Sequence, residues 1–218
     1  MRCHRSRIIA CSLVAEELEG MLSEGMEIVA LEFGLHDYPE RLRVRLQEEI
    51  NRVGDVDVIL LGYGLCSMAT VGLISPRSYL VLPRMHDCIG IIMGSLEEYS
   101  RQMRAEPGTY YLTKGWVNHG GDPRKKFLEW EEKYGTAKAR RLLELTIGNY
   151  TRLAYIQTGN TLQMDHVLYA QEVAHELGLR FEKIKGNRGV LEKMVAGNWD
   201  KDFVVVEPGK PVILEKFC

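Results

Sequence analysis

The stretch Val56–Ile92, VDVILLGYGLCSMATVGLISPRSYLVLPRMHDCIGII, decides the fold. It contains two short apolar runs, Val58–Leu61 and Tyr79–Leu82, that are rich in strand-forming residues. Continuous apolar runs of this length, bounded by Gly and Pro, are typical of strands that are buried on both faces of a parallel sheet. The stretch therefore predicts two strands of an α/β fold.

Both runs end in polar and reactive residues. The sequence GYGLCS (62–67) follows the first run, and RMHDC (84–88) follows the second. Sites in open α/β sheets lie beyond the carboxyl ends of the strands. Cys66, His86 and Cys88 therefore fall where such a fold places its chemistry.

The segments before this stretch continue the same alternation. RIIAC (Arg7–Cys11) and MEIVALEF (Met26–Phe33) are predicted strands, and helices are predicted after them at Leu13–Leu22 and Pro39–Val53. Ser12 is the predicted cap of the first helix, since a serine hydroxyl can accept a free first-turn N–H. The order β-α-β-α-β predicts parallel strands joined by right-handed crossovers.

The final third of the chain resembles its beginning. Residues 178–209 follow the same order of elements as residues 25–64, which suggests an internal duplication, although common βαβ order alone gives the same pattern. We expect parallel Rossmann-like sheets in two similar lobes around a cleft. The predicted regions are an α/β lobe at 1–94, a helical and aromatic connection at 95–150 with a long helix interrupted at Gly135, and an α/β lobe at 151–218.

Charge and hydropathy narrow the range of functions. The 218 residues carry a formal charge of −2 and no basic run, so we expect no nucleic-acid partner. No apolar run approaches the roughly 18 residues of a membrane span. The first residues, MRCHRSRIIAC, lack the features of a signal peptide. We therefore expect a cytoplasmic protein without a membrane partner.

The chain has five cysteines, Cys3, Cys11, Cys66, Cys88 and Cys218. They do not form the pattern of a disulfide framework, because their number is odd and their spacing is wide. Three of them, Cys11, Cys66 and Cys88, lie at or just beyond the ends of predicted parallel strands. Thiolates are the ligands of zinc and of iron–sulfur clusters, so this pattern predicts a shared metal site.

The alternative is that these cysteines only fill space, because free cysteines are among the most frequently buried residues. Cys66 also begins a predicted short helix, from Ser67 to about Leu73. At that position the helix dipole would lower the pKa of the Cys66 thiol.

His86 and Asp87 are the candidate catalytic residues. On an extended segment His86 and Cys88 point the same way, so His86 is a candidate fourth metal ligand or acid–base group. Asp87 could orient a ligand. The alternative is a polar cap on the strand end. His36, after the second strand, could join the same rim.

Two glycine-containing segments are candidate cofactor-binding loops. Gly62 and Gly64 resemble half of a dinucleotide fingerprint, but the third glycine and a Walker lysine are missing. After the predicted strand Leu153–Ile156, Thr158-Gly159-Asn160 is expected to offer N–H groups and polar side chains to a substrate across the cleft.

Several segments of the chain are similar to an uncharacterised family, domain of unknown function 1638: GYGLC, PRMHDCIG, PGTYYLTKGW and GGDPRKKFLEWEEKYG, with the IIAC opening and the late NYTRLAYIQTG and EPG segments. The resemblance implies occurrence in anaerobes, including methanogens, and an association with corrinoid-dependent methyl transfer. The matched positions Cys11, Cys66, His86 and Cys88 coincide with the candidate site. Cys218 is an additional thiol to which no role is assigned.

Two functional hypotheses follow. The first is a metalloprotein in which zinc or an iron–sulfur cluster leaves one position open to a small thiol or sulfur-containing substrate, in metabolism linked to a corrinoid protein. Zinc would suit methylation of a thiol, and a cluster would suit desulfuration or redox chemistry. The alternative is a non-catalytic, two-lobed binding or accessory protein for a corrinoid protein or a small ligand. The sequence does not decide whether the protein is an enzyme.

Overall fold

The computed structural model describes residues 5–159 and 164–217 as a mixed α/β protein with parallel sheets, as expected. Its strands are β1 Ser6–Cys11, β2 Glu27–Leu31, β3 Val58–Gly62, β4 Tyr79–Pro83, β5 Thr109–Leu112, β6 Arg152–Gln157, β7 Arg180–Lys185 and β8 Phe203–Val206. Its helices are α1 Ser12–Glu17, α2 Pro39–Arg52, α3 Cys88–Met93, α4 Leu96–Ala105, α5 Lys114–Asn118, α6 Pro123–Tyr134, α7 Thr136–Ile147, α8 Met164–Glu176 and α9 Gly189–Ala196.

The chain divides into two compact units. Met1–Leu96 and Arg188–Cys218 form the first unit, and Glu97–Asn187 forms the second. This division differs from the regions expected at 1–94, 95–150 and 151–218. The reason is that the last strand, β8, pairs with β4 and so joins the end of the chain to the first unit.

The first unit contains a five-stranded sheet in the order β2-β1-β3-β4-β8. β1 pairs in parallel with both β2 and β3, and β3 pairs in parallel with β4. The strands that lead to Cys11, Cys66 and Cys88 therefore lie side by side, as predicted. β8 runs antiparallel to β4 at the edge of the sheet.

The central position of β3 explains its composition. All five of its residues, VILLG, are buried. Leu60 belongs to a core cluster with Ile8 of β1, Val81 of β4 and Leu191 of α9. Burial of each such side chain contributes roughly 1.5–3 kcal/mol relative to exposure, so a polar residue would be costly along this strand.

Two glycines allow the strand ends to approach closely. A Cβ atom on Gly62 would lie 2.6 Å from the Cβ of Ala10 in β1. A Cβ on Gly64 would clash with the carbonyl oxygen of Met85, which lies beyond β4. Because the second clash is with backbone, no side-chain rotation relieves it.

The proposed internal duplication is not reproduced. β2 and β3 both pair with β1, whereas their expected counterparts β7 and β8 belong to different sheets. The apolar sequence FVVV of β8 covers the edge of β4 in antiparallel orientation instead of beginning a second copy of the lobe.

The second unit is built on a three-stranded parallel sheet in the order β5-β6-β7. Leu153 and Tyr155 of β6 pack with Val173 of α8 in its core. The predicted interruption of the long helix at Gly135 is confirmed, since α6 ends and α7 begins there, with a φ of +79° at the glycine.

A buried arginine joins three elements of the second unit. The guanidinium of Arg152 donates to Thr109 Oγ1 at 2.8 Å, to Gln102 Oε1 at 2.9 Å and to Glu182 Oε2 at 3.0 Å. A buried charge is tolerated only when it is paired and hydrogen-bonded, and these three partners meet that need.

Within residues 5–159 and 164–217, no helix is both long enough and apolar enough to cross a membrane.

We predict that Gly64→Ala lowers the free energy of unfolding by about 1–3 kcal/mol, because the added methyl group has no space against the Met85 backbone. Gly54→Ala is the matched control. A Cβ there meets nothing within 4 Å, so stability should be unchanged or rise by up to about 1 kcal/mol. Denaturant unfolding of the three proteins measures the difference. Equal stability of Gly64→Ala and wild type would contradict the packing described above.

Candidate cysteine site

Three free thiols lie at the carboxyl edge of the first sheet. Cys11 is the last residue of β1, Cys66 follows β3, and Cys88 follows β4 and begins α3. Cys11 is buried, and Cys66 and Cys88 are half-buried. The adjacent parallel strands thus bring sequence-distant thiols to one region.

The thiols lie close enough for their charges to interact. Burial raises the pKa of Cys66 to about 12, with further contributions from the charges of Asp87 and Cys11. Burial also raises the pKa of the Cys88 thiol well above its usual value, and the charges of Asp87, Cys11 and Cys66 raise this pKa further. The thiols are therefore protonated at neutral pH when no cation is bound to them.

Tyr63 lies next to the same group. Its side chain is 4% exposed. Burial raises the pKa of its hydroxyl, and charges on Cys11, Cys66 and Cys88 raise it further. Sequence reasoning did not identify Tyr63, although the residue stands between the two glycines that follow β3.

Cys11 occupies the cap position of α1 that the sequence assigned to Ser12. Burial raises the pKa of the Cys11 thiol above its ordinary value. α1 is also shorter than predicted and ends at Glu17.

A left-handed turn holds Cys66, where the sequence predicted a helix. Cys66, Ser67 and Met68 have φ values of 45°, 54° and 69°. Left-handed conformation costs roughly 1–2 kcal/mol for each non-glycine residue, and such strain is concentrated at functional sites. The expected lowering of the Cys66 pKa by a helix dipole is therefore wrong, because there is no helix at this position and burial dominates.

Backbone hydrogen bonds and one side chain fix this turn. The Leu65 N–H donates to the Met85 carbonyl and the Cys66 N–H to the His86 carbonyl, both at 2.8 Å. The buried Thr70 hydroxyl donates to the Gly64 carbonyl at 3.0 Å. The segment after β3 is therefore tied directly to the segment after β4.

The turn also contains two backbone donors without a partner in the described residues. Ser67 and Met68 are exposed, and their N–H groups have no hydrogen-bond partner within the described part of the chain. Two adjacent N–H groups beside Cys66 can bind an oxygen atom of a small molecule.

Asp87 and His86 stand immediately before Cys88. Asp87 caps α3, because its Oδ1 accepts from the Gly90 N–H at 3.1 Å. The His86 side chain is exposed, while its carbonyl holds Cys66. The charge of Asp87 raises the pKa of Cys66 and of Cys88, so Asp87 lies near both thiols, and the catalytic roles of His86 and Asp87 stay predictions.

His36 is engaged in its own turn. Its Nδ1 lies 2.6 Å from the Phe33 carbonyl oxygen, and its Nε2 lies 3.1 Å from Asp37 Oδ1. Its ring centroid is 4.3 Å from that of Phe33. These local contacts account for its position after β2.

The remaining predicted positions fall elsewhere. Gly62 and Gly64 make the close contacts described above, and a cofactor-binding role for them stays a prediction. Thr158 and Gly159 follow β6 in the second unit. Asn160, Cys3 and Cys218 lie outside the described residues.

Metal-ligating side chains are not gathered around one point in the described segments 5–159 and 164–217. No group of three or more His, Cys, Asp or Glu side chains there is arranged to hold a metal ion. A single zinc ion, with Zn–S distances of about 2.3 Å, would have to draw the three thiols together.

Comparison with known proteins places the chain in a family. Residues 30–195 match the family described as "Protein of unknown function (DUF1638)", so the chain belongs to this family. No curated protein and no solved structure matches the chain.

We predict that the metal-free protein loses stability as the pH rises from about 9 towards 12, in part through Cys66. The unfolded chain releases the Cys66 proton near the ordinary pKa of 9.0, whereas the folded chain keeps it up to about 12, so alkaline pH favours unfolding. Cys66→Ser removes this contribution. Denaturant unfolding in the presence of a chelator should show a smaller alkaline loss for the variant, and parallel curves for the two proteins would contradict the raised pKa.

Proposed function

We propose that this member of the DUF1638 family binds zinc or an iron–sulfur cluster through Cys11, Cys66 and Cys88 and acts there on a small thiol or other sulfur-containing molecule. The observation that supports the proposal is that three free thiols follow adjacent parallel strands and lie close enough for the charge of one to raise the pKa of another. Thiolate sulfur is the ligand that zinc and iron–sulfur clusters prefer.

The raised pKa values fit this proposal physically. Three thiolates without a cation would repel one another in a partly buried site, so the thiols are neutral when no cation is bound. A bound cation replaces those protons and offsets the repulsion. Metal affinity should therefore rise with pH, because each thiol must lose a proton in order to bind.

Three protein ligands leave a fourth position for a substrate sulfur atom. The exposed His86 side chain, two residues before Cys88, is our candidate for a fourth ligand or an acid–base group. The N–H groups of Ser67 and Met68 support binding of an oxygen atom of the same substrate, since both residues are exposed next to Cys66 and neither N–H has a hydrogen-bond partner within the described residues.

The chemistry depends on the metal. Zinc would keep a substrate thiol deprotonated and so favour its methylation, whereas an iron–sulfur cluster would favour desulfuration or redox chemistry. Two parts of the proposal rest on the family resemblance alone. They are a corrinoid protein as the partner and anaerobic corrinoid-linked methyl metabolism as the setting. The proposal of two similar lobes around a cleft rests on the sequence alone.

A second candidate is a non-catalytic binding or accessory protein for a corrinoid protein or a small ligand. The observation in its favour is that no metal-binding group is assembled among the described side chains, while the thiols have the raised pKa values of buried, neutral cysteines. In this case the cysteines would only pack the edge of the sheet.

Metal analysis of protein purified without oxygen distinguishes the two candidates. We expect near-stoichiometric zinc or iron in the wild type. In Cys66→Ser and Cys88→Ser, metal affinity should fall by more than about 100-fold, beyond the loss typical of a residue that only supports a ligand. Cys218→Ser makes the same chemical change at a cysteine outside the proposed set and should retain the metal.

If the cysteines only pack the core, Cys66→Ser would cost roughly 1–3 kcal/mol of stability without changing metal content. Equal metal content in the wild type, Cys66→Ser and Cys88→Ser would reject the metal site. Absence of zinc and iron from the wild type would favour the binding protein.

A further inference from the structure

The second unit has a pocket at the carboxyl ends of its parallel strands. β6 and β7 end side by side, with Gln157 opposite Lys185, and the Gly186 N–H donates to the Gln157 carbonyl at 3.0 Å. The pocket beyond them has a volume of about 370 Å³, and its lining includes Thr158, Gly159 and Lys183. This is the position at which parallel α/β sheets bind ligands.

Two lysines give the pocket a positive charge. Lys183 and Lys185 alternate with the buried Ile184, so both project from the same face of β7 into the pocket. Neither ammonium group has an ion pair or a hydrogen bond within residues 5–159 and 164–217. The neighbouring carboxylate, Glu182, points to the other face and pairs with Arg152 and Arg180.

Several cations elsewhere in the molecule are paired with carboxylates, in contrast to these two lysines. Lys193 contacts Asp200 at 2.7 Å and Asp202 at 2.9 Å. On β7 itself, Arg180 pairs with Glu106 and Glu182. Two like charges on one short strand end repel each other, and an anion between them would remove that repulsion.

The rest of the lining suits a polar anion. The Gln157 amide and the Thr158 hydroxyl are hydrogen-bonding groups, and Gly159 has a φ of +77° with open space where a side chain would stand. The pocket volume exceeds the volume of a bare phosphate ion and lies at the lower end of the range of volumes found for small-molecule sites.

We infer that this pocket binds the tetrahedral oxyanion group, phosphate or sulfonate, of a small molecule through Lys183 and Lys185. A lysine ammonium is a point charge that commonly binds such groups. The inference does not depend on the metal site, since every residue that carries it belongs to the second unit.

Titration of the full-length protein with inorganic phosphate tests this inference. We expect saturable shifts of the Gly159 and Gly186 amide resonances at constant ionic strength, with sulfate acting similarly and chloride having no effect. Lys183→Gln and Lys185→Gln should each weaken phosphate binding by about tenfold, because each removes one of two direct charge contacts. Lys210→Gln, which removes an exposed and unpaired lysine of the first unit, should bind phosphate as the wild type does.

Three results would overturn the inference. One is the absence of saturable phosphate or sulfate binding to the wild type, and another is binding that both lysine variants retain at full strength. The third is tighter binding of acetate than of phosphate, which would identify the pocket as a carboxylate site. The amide spectra of the variants show whether they remain folded. We expect that they do, because both lysines are exposed and their substitution disturbs no core contact.

Discussion

The first unit depends on the direct contact between two backbone segments, at Gly64 and at Met85. Glycine is required there because any side chain would clash with the Met85 carbonyl. The contact lets Leu65 and Cys66 donate to the carbonyl groups of Met85 and His86. These bonds hold the chain in a strained left-handed turn and tie the Cys66 backbone to the segment that leads to Cys88. One close approach thus links the packing of the sheet to the arrangement of the thiols.

Much of this arrangement can be predicted from local sequence. The apolar runs at Val58–Leu61 and Tyr79–Leu82 indicate buried strands, because a strand with sheet on both sides and helices on both faces tolerates no polar residue. The β-α-β order then places their carboxyl ends at one edge of the sheet. Strand order and strand ends are therefore sufficient to predict that Cys11, Cys66 and Cys88 lie at the same edge of the sheet.

Other features depend on contacts that local sequence does not encode. No glycine marks the left-handed turn at Cys66–Met68, because the turn is imposed by bonds to a segment twenty residues later along the chain. The apolar β8 looks like one more parallel strand, yet it pairs in antiparallel orientation with β4. The environment of Tyr63 and the unpaired state of the β7 lysines likewise depend on which distant segments lie next to them in the folded chain.

The central claim is that the three thiols act together as ligands of one metal centre. X-ray absorption spectroscopy of protein purified without oxygen, at the zinc and iron edges, tests this claim most directly. We predict a metal with three sulfur ligands from the protein at about 2.3 Å, and one fewer in Cys66→Ser, if that variant still holds metal. A metal bound by nitrogen and oxygen alone, or no metal at all, would contradict it.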